Sequence, residues 1–281
     1  MMMSTKETFA KRIQRIMGER VPEYIPRGSW QGHTYAHIFT DVAINFIDGM
    51  YPKFCSMKGE LTDAEIKYHK GATHMNSSQI VCISYFKKFF EKPEYENYLL
   101  AVLRESGISI EPDEKIESAA FEYEPCVKEG TNFDFYLVLT GGKRISFEIK
   151  YTEAEFGGIS PDKKEPGKYD RKWDEIYKEM VNRSPLLNVD RETFYKPHYQ
   201  INRNIVYAKA EDYVVFLTPR ANDAKALIDG RNYIDGMQNP HICNLYWEDV
   251  IGITQSTVKD CKELKDYYFK FYHKYIEILN Q

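Results

Sequence analysis

TNFDFYLVLTGGKRISFEIKYT, residues 131–152, decides the fold. In its first half Phe133, Phe135, Leu137 and Leu139 alternate with Asp134, Tyr136 and Val138. In its second half Ile145, Phe147, Ile149 and Tyr151 alternate with Ser146, Glu148, Lys150 and Thr152. A period of two marks strands with one apolar and one mixed face. Between them Thr140-Gly141-Gly142-Lys143 is a turn signal. In a hairpin the two apolar faces must coincide, because a one-residue slip turns a strand over. Odd-numbered residues therefore pair with odd-numbered ones, which rules out a regular two-residue loop at Gly141-Gly142. The parity demands a three-residue loop or a bulge, with glycine in the left-handed region. Asp134 then shares a face with Glu148 and Lys150.

Two like charges about 4 Å apart repel by roughly 4 kcal/mol at an effective dielectric of 20. A divalent cation reverses that sign. Magnesium takes oxygen ligands, binding through one or two carboxylates plus waters and phosphate. It lowers the pKa of bound water and polarises a phosphoryl oxygen. Lys150, about 7 Å along the strand from Glu148, is placed to orient an attacking water or to stabilise developing charge. Patterning alone thus gathers two carboxylates and an amine, a set that a divalent cation would suit.

Outward from the hairpin, Ala119–Glu124 reads as a preceding strand, with Glu122 and Glu124 on one face, either one a further candidate metal ligand. Upstream, His74–Phe90 and Asn97–Arg104 have helical periodicity, and Gln79 on the first of these is a candidate to reach the site. Downstream, Gly157–Lys168 reads as an exposed loop. Tyr199–Lys209 reads as a helix, with Gln200, Arg203 and Asn204 on one face, suited to a phosphate or a metal's water. Asp212–Leu217 (DYVVFL) reads as a buried strand. Leu264, Tyr268, Phe271, Tyr275 and Ile278 mark a C-terminal amphipathic helix. Glu153 follows the Lys150 strand and points to the opposite face unless the strand ends first.

The first 70 residues read as helices and loops. Pro22, Pro26 and Gly28 break a first helix, and Trp30–Ile47 is expected to resume one. There His33 and His37 would sit one turn apart, a spacing that can bind zinc, with no third ligand in view. The expected architecture is α/β: a helical N-terminal extension over 1–70, then an α-β-β-β-α-β domain over 71–281 with a mixed sheet flanked by helices and a C-terminal helix. The two parts are also readable as one continuous domain.

The 281 residues carry 38 basic and 42 acidic side chains, for a net charge of −4. That disfavours a nucleic-acid coat protein, and leaves room for a local basic footprint. Two stretches are candidates: Lys11, Arg12, Arg15, Arg20 and Arg27; and Lys163, Lys164, Lys168, Arg171 and Lys172. The 22 Tyr and 16 Phe suit half-buried surfaces generally. Five scattered cysteines without a CxxC pair fit reduced thiols in a cytoplasmic protein. No signal peptide and no membrane span are read.

An Asp on one strand followed by Glu-X-Lys on the next, here Asp134 with Glu148-Ile149-Lys150, resembles the signature of the PD-(D/E)XK nuclease superfamily. FEIKYTEAEFG, Asn76-Ser77-Ser78-Gln79, and Tyr199-Gln200 with Arg203-Asn204 resemble a restriction-endonuclease-like bacterial branch of it. The resemblance spans about His74 to Leu217. It departs at the pattern's proline, where Phe133 stands. It implies a restriction-endonuclease-like core and a DNA endonuclease dependent on magnesium or manganese. Asp134, Glu148, the Ile149 backbone carbonyl and Glu122 would hold the metal, and Lys150 and Gln200 would act in catalysis. Gln79, Glu124, Glu153, Arg203 and Asn204 would support them. The expected partner is nucleic acid, DNA before RNA, with no membrane, and assembly as a homodimer stays open. The alternatives are a non-cleaving nucleic-acid-binding or assembly module of the same fold, and a different metal-dependent hydrolase.

Overall fold

A computed structural model describes residues 7–159 and 165–281. Helix α1 (Phe9–Arg20) begins at Thr8, whose hydroxyl accepts from Lys11 N, and buries Phe9, Ile13, Ile16 and Met17 at three- and four-residue spacing. A hairpin follows, β1 (Arg27–Trp30) and β2 (His33–Phe39), then the short strand β3 (Ser56–Lys58). Helices α2 (Ser78–Phe86) and α3 (Glu96–Glu105) precede three consecutive strands, β4 (Ile116–Cys126), β5 (Thr131–Leu139) and β6 (Arg144–Ile149). Next come α4 (Lys168–Lys172), α5 (Lys178–Arg183), α6 (Arg191–Tyr195) and α7 (Tyr199–Ile205). The chain closes with β7 (Tyr213–Thr218), α8 (Lys225–Gly236), β8 (Ile242–Tyr246), α9 (Trp247–Thr257) and α10 (Lys262–Phe271).

The main sheet has the order β3-β4-β5-β6-β7-β8. Pairing is antiparallel from β3 to β6 and parallel from β6 to β8. Phe135 faces Phe147 and Leu137 faces Ile145, the odd-with-odd register that the apolar parity requires. The loop at its end is closed by Leu139 N donating to Lys143 O at 2.9 Å, with Gly142 at φ +82°. That is a three-residue loop with glycine in the left-handed region, as the parity demands.

Each sheet face carries its own core. Phe121, Phe135, Leu137 and Phe147 pack with α2, α3 and α10, and the same cluster takes in Phe9, Ile13 and Met17 of α1. No break in the core marks residue 70. Val214 and Phe216 pack on the other face with Tyr177, Phe194, Ile201 and Leu227 from α5 to α8. Leu264, Tyr268, Phe271, Tyr275 and Ile278 are all fully buried, the stripe expected of the C-terminal helix.

Several sequence readings need correction. Trp30–Ile47 is not a helix. Gln31 and Gly32 both take positive φ, 50° and 82°, and make a tight turn between Trp30 and its partner His33. His33 and His37 therefore lie on a strand, separated by roughly 13 Å of extended chain rather than by one helical turn. Strands β3 and β8 and the helices between residues 168 and 195 were not expected. β6 ends at Ile149, short of Thr152, and α7 ends at Ile205, short of Lys209. Within the expected loop 157–168, residues 160–164 lie outside the described residues, and so do Lys163 and Lys164 of the second basic stretch. No helix among the described residues is long and apolar enough to cross a membrane.

Candidate active site

Three carboxylates form one cross-strand row. Phe121 pairs with Phe135 and Tyr123 with Phe133, which sets Glu122 of β4 against Asp134 of β5. One residue beyond the Phe135–Phe147 pair, Asp134 faces Glu148 of β6. Neighbouring strands are about 4.8 Å apart. All three acids line a cleft of about 620 Å³ that also receives Lys150, Gln79, Gln200 and Arg203. The row lies at the carboxyl end of β6, the strand at which the sheet changes from antiparallel to parallel pairing.

Glu148, 3% exposed, is the most closely held of the acids. Its Oε1 accepts from Lys150 Nζ at 2.7 Å and from Gln200 Nε2 at 2.5 Å, and its Oε2 accepts from Asn204 Nδ2 at 2.7 Å. Gln200 and Asn204 are one helical turn apart on α7, so one face of that helix delivers both amides. Gly157 makes this possible. Its φ is +115°, and a Cβ there would stand 2.3 Å from Gln200 Oε1.

Asp134 Oδ2 accepts the backbone N–H of Ile149 at 2.6 Å. Burial, and then the charges of Glu148 and Glu122, push its carboxyl well above the usual range, against the pull of Lys150 and the Ile149 N–H. Burial alone would lower the Lys150 ammonium. Glu148, Asp134 and Glu153 overrule it and hold Lys150 at about 12, so it is charged at neutral pH.

Glu122 sits in the left-handed region at φ +50°, sparsely populated for a residue with a Cβ. Gln79 Nε2 donates to its Oε1 at 2.9 Å and Asn132 Nδ2 to its Oε2 at 3.3 Å. Gln79 is itself buried, accepting from His69 N and donating to Lys67 O, so it ties the 67–69 segment to the acid row. Glu153 lines the same cleft because β6 ends early, and its Oε2 accepts from Tyr151 N at 2.6 Å. Glu124 is exposed on a neighbouring groove and does not join the row.

The donor set fits a hard divalent cation. Among the described residues no three His, Cys, Asp or Glu side chains converge as metal ligands, because Glu122 is turned toward Gln79. Within the row Asp134 and Glu148 repel each other, and that repulsion is what a dication relieves. Magnesium needs no more protein than that, since waters and substrate phosphate complete its shell. The cleft also holds polar atoms with nothing to bond. Arg203 Nε, Thr131 Oγ1, Asn76 Oδ1 and His74 Nε2 in its wall, and Asn204 Oδ1 beside Glu148, are buried without a hydrogen-bond partner. Buried polar atoms are normally satisfied, so such a set suits a polar ligand.

A second acid escaped sequence reading. Glu129, in the β4–β5 turn, has a fully buried side chain bonded by Tyr177 Oη, by Lys172 Nζ at 3.1 Å and by Tyr207 Oη at 3.5 Å. Burial would weaken the Arg203 charge, but Tyr199, Glu129 and Glu148 hold it up, so this acid and the row's Glu148 both act on one guanidinium. VKEGT looks like an ordinary solvated turn, and nothing in it announces burial.

Among the described residues of the two basic stretches, most cations are already engaged. Arg12 donates to Leu279 O, Arg15 pairs with Glu7 and Glu19, Arg20 with Glu277, and Arg27 donates to Val21 O. Lys168 and Arg171 pair with Glu165, and Lys172 with Glu129.

A family model described as "Restriction Endonuclease associating with ARP" matches residues 23–276. Neither the curated proteins nor the solved structures contain a match.

Proposed function

The chain belongs to that family of restriction endonucleases, and on this premise we propose that it is a magnesium- or manganese-dependent DNA endonuclease whose centre is Asp134, Glu148 and Lys150. Its fold is restriction-endonuclease-like, with the α-β-β-β-α-β core order. The observation that carries the reading is the pairing of two carboxylates across β5 and β6 with a charged lysine bonded to one of them, in a polar cleft.

Asp134, Glu148 and the Ile149 carbonyl would hold the cation, with Glu122 close by. When bound, magnesium supplies Lewis acidity toward the scissile phosphate and a more acidic water. The remaining work falls to the chain. Hydrolysis adds a water oxygen to phosphorus, breaks one ester P–O bond and concentrates negative charge on the phosphoryl oxygens. The Lys150 ammonium, fixed by Glu148, faces that charge and orients the incoming water. Gln200 and Asn204 keep Glu148 in one rotamer, and Arg203, with a free Nε, is suited to a phosphate oxygen.

One observation favours a second reading. Lys150, Gln200 and Asn204 already satisfy both oxygens of Glu148, as they would in a non-cleaving nucleic-acid-binding module of this fold. Nicking of supercoiled plasmid by the purified protein separates the two. Cleavage that needs magnesium or manganese and is lost in Asp134→Asn supports the endonuclease. Intact plasmid with either metal, across duplex, single-stranded and branched substrates, overturns it.

A further inference from the structure

The β1–β2 hairpin takes no part in the acid cleft's chemistry, yet it is sewn to the cleft's rim. Phe39 N donates to Thr73 O at 3.0 Å, Met75 N donates to His37 O at 2.9 Å, and Ile38 bridges His74. His74 lines the cleft, and the rings of Trp30 and His37 lie 5.0 and 5.6 Å from its ring. Beyond this base β2 runs against α1, where Gly18 abuts Ala36, and only the tip of the ribbon stands free. A strand on a protein body buries every second residue, but Gln31 to Ala36 are exposed at every position. Both faces of the tip, from Gln31 to Tyr35, therefore meet solvent.

The ribbon's chemistry is selective. From Tyr24 to Thr40 there is no acidic residue, in a chain with 42 of them. Its free part offers Gln31, His33, Thr34 and Tyr35, which are hydrogen-bonding groups without a carboxylate among them. Burial, with His74 beside it, pulls His37 down to about 4, so that ring is neutral at pH 7. Positive charge lies in the groove that adjoins the acid row and shares His69 and Glu122 with the cleft. Lys67 and Lys70 are exposed there and have no carboxylate partner among the described residues.

We propose that the β1–β2 ribbon enters the major groove of duplex DNA beside the scissile phosphate and reads base edges, while Lys67 and Lys70 hold the backbone between ribbon and cleft. The proposal rests on reading the cleft as a nucleic-acid site. A two-stranded ribbon fits the wide major groove of B-form DNA, and amide, hydroxyl and imidazole groups suit the donors and acceptors there. The deep, narrow major groove of A-form RNA would exclude it. Phosphate contacts position a protein, and base contacts specify its sequence.

The test is binding of labelled duplex and of the matching single strand in calcium, read by fluorescence anisotropy. Gln31→Ala/His33→Ala/Thr34→Ala should keep the wild-type melting temperature, since all three side chains are exposed. It should weaken duplex binding about tenfold or more and change single-strand binding by less than about twofold. Lys67→Ala/Lys70→Ala should weaken both ligands and flatten the salt dependence. Duplex affinity within about twofold of wild type in the folded triple variant overturns the proposal. If wild-type protein binds duplex through the ribbon but nicks nothing in magnesium, the ribbon stands and the cleavage reading falls. If wild type nicks DNA and the triple variant binds and nicks equally well, the reverse holds.

Discussion

The Asp134 carboxylate accepts the backbone N–H of Ile149 at 2.6 Å, one residue past the point where the β5–β6 ladder ends at Phe135–Phe147. A side chain of one strand thus bonds the backbone of the next as the ladder stops. The acid's rotamer is set by that N–H, and the proposed ligand is preorganised by the sheet itself.

Asp134→Asn keeps an oxygen for the Ile149 N–H and removes one charge from the row. Without metal it should be at least as stable as wild type, because it relieves repulsion with Glu148 and Glu122. Magnesium at about 100 times its dissociation constant should stabilise the wild type by roughly 2.7 kcal/mol. Thermal melts with and without metal read the difference, and a variant that retains the full metal-induced rise would exclude Asp134 as a ligand.

Lys150→Ala removes no ligand, so the metal-induced rise in melting temperature should survive. Plasmid nicking should fall by roughly 10²- to 10³-fold, the usual scale for losing a group that stabilises transition-state charge. Glu148 keeps Gln200 and Asn204, so the protein should still fold, less stable by about 1–3 kcal/mol. Wild-type cutting rates in this variant would remove Lys150 from the mechanism.

Gly157→Ala should act on Glu148 at second hand. Its added methyl would collide with the Gln200 amide, and its φ of +115° does not suit alanine. We expect about 1 kcal/mol or more of destabilisation, together with a cleavage defect resembling that of Gln200→Ala. In a double-mutant cycle the combined variant should be little worse than either alone. Full additivity would mean that Gly157 does not act through Gln200.

Lys274, far from the row in sequence, carries a pH signature. Its ammonium is enclosed against Asn45, with Nζ donating to Asn45 O and, at 3.3 Å, to Asn45 Oδ1, and burial lowers it to about 7. The unfolded lysine titrates near 10.4. Between those values the unfolded chain binds the extra proton, so stability rises with pH, by at most about 1.4 kcal/mol per pH unit. The penalty is complete below pH 7 and fades by about pH 10. Lys274→Met should therefore lose this dependence, and the stability difference between variant and wild type should change with pH between 7 and 10. Parallel curves from denaturant melts would show that Lys274 does not titrate there.

The legible part of this chain is the part with strong periodicity. Alternation at Phe133–Leu139 and Ile145–Tyr151 determined register, loop length and the common face of Asp134 and Glu148, because burial of one face leaves a strand no choice. The i, i+4 spacing of Gln200 and Asn204 likewise put both on one face of α7. Elements stabilised mainly by distant partners stayed hidden. β3 is three residues long and exists because β4 lies beside it. The β1–β2 ribbon reads as a helix resumed after Pro22, Pro26 and Gly28, whereas Gln31-Gly32 is the turn between its two strands. Glu129 was invisible because its partners, Tyr177 and Lys172, come from more than forty residues away.

The acid row has a consequence over generations. Burial and like charge hold Asp134 above its ordinary range, so neutral side chains in its place would relax the fold. Most random substitutions cost a protein stability, but here single changes would silence the cleft and strengthen the molecule together. A lineage that stopped using the cleft would discard these acids sooner than it would lose Phe135 or Leu137, whose removal empties the core. On the proposed function, Asp134 is kept in the chain by what it does in the cleft and against what it costs the fold.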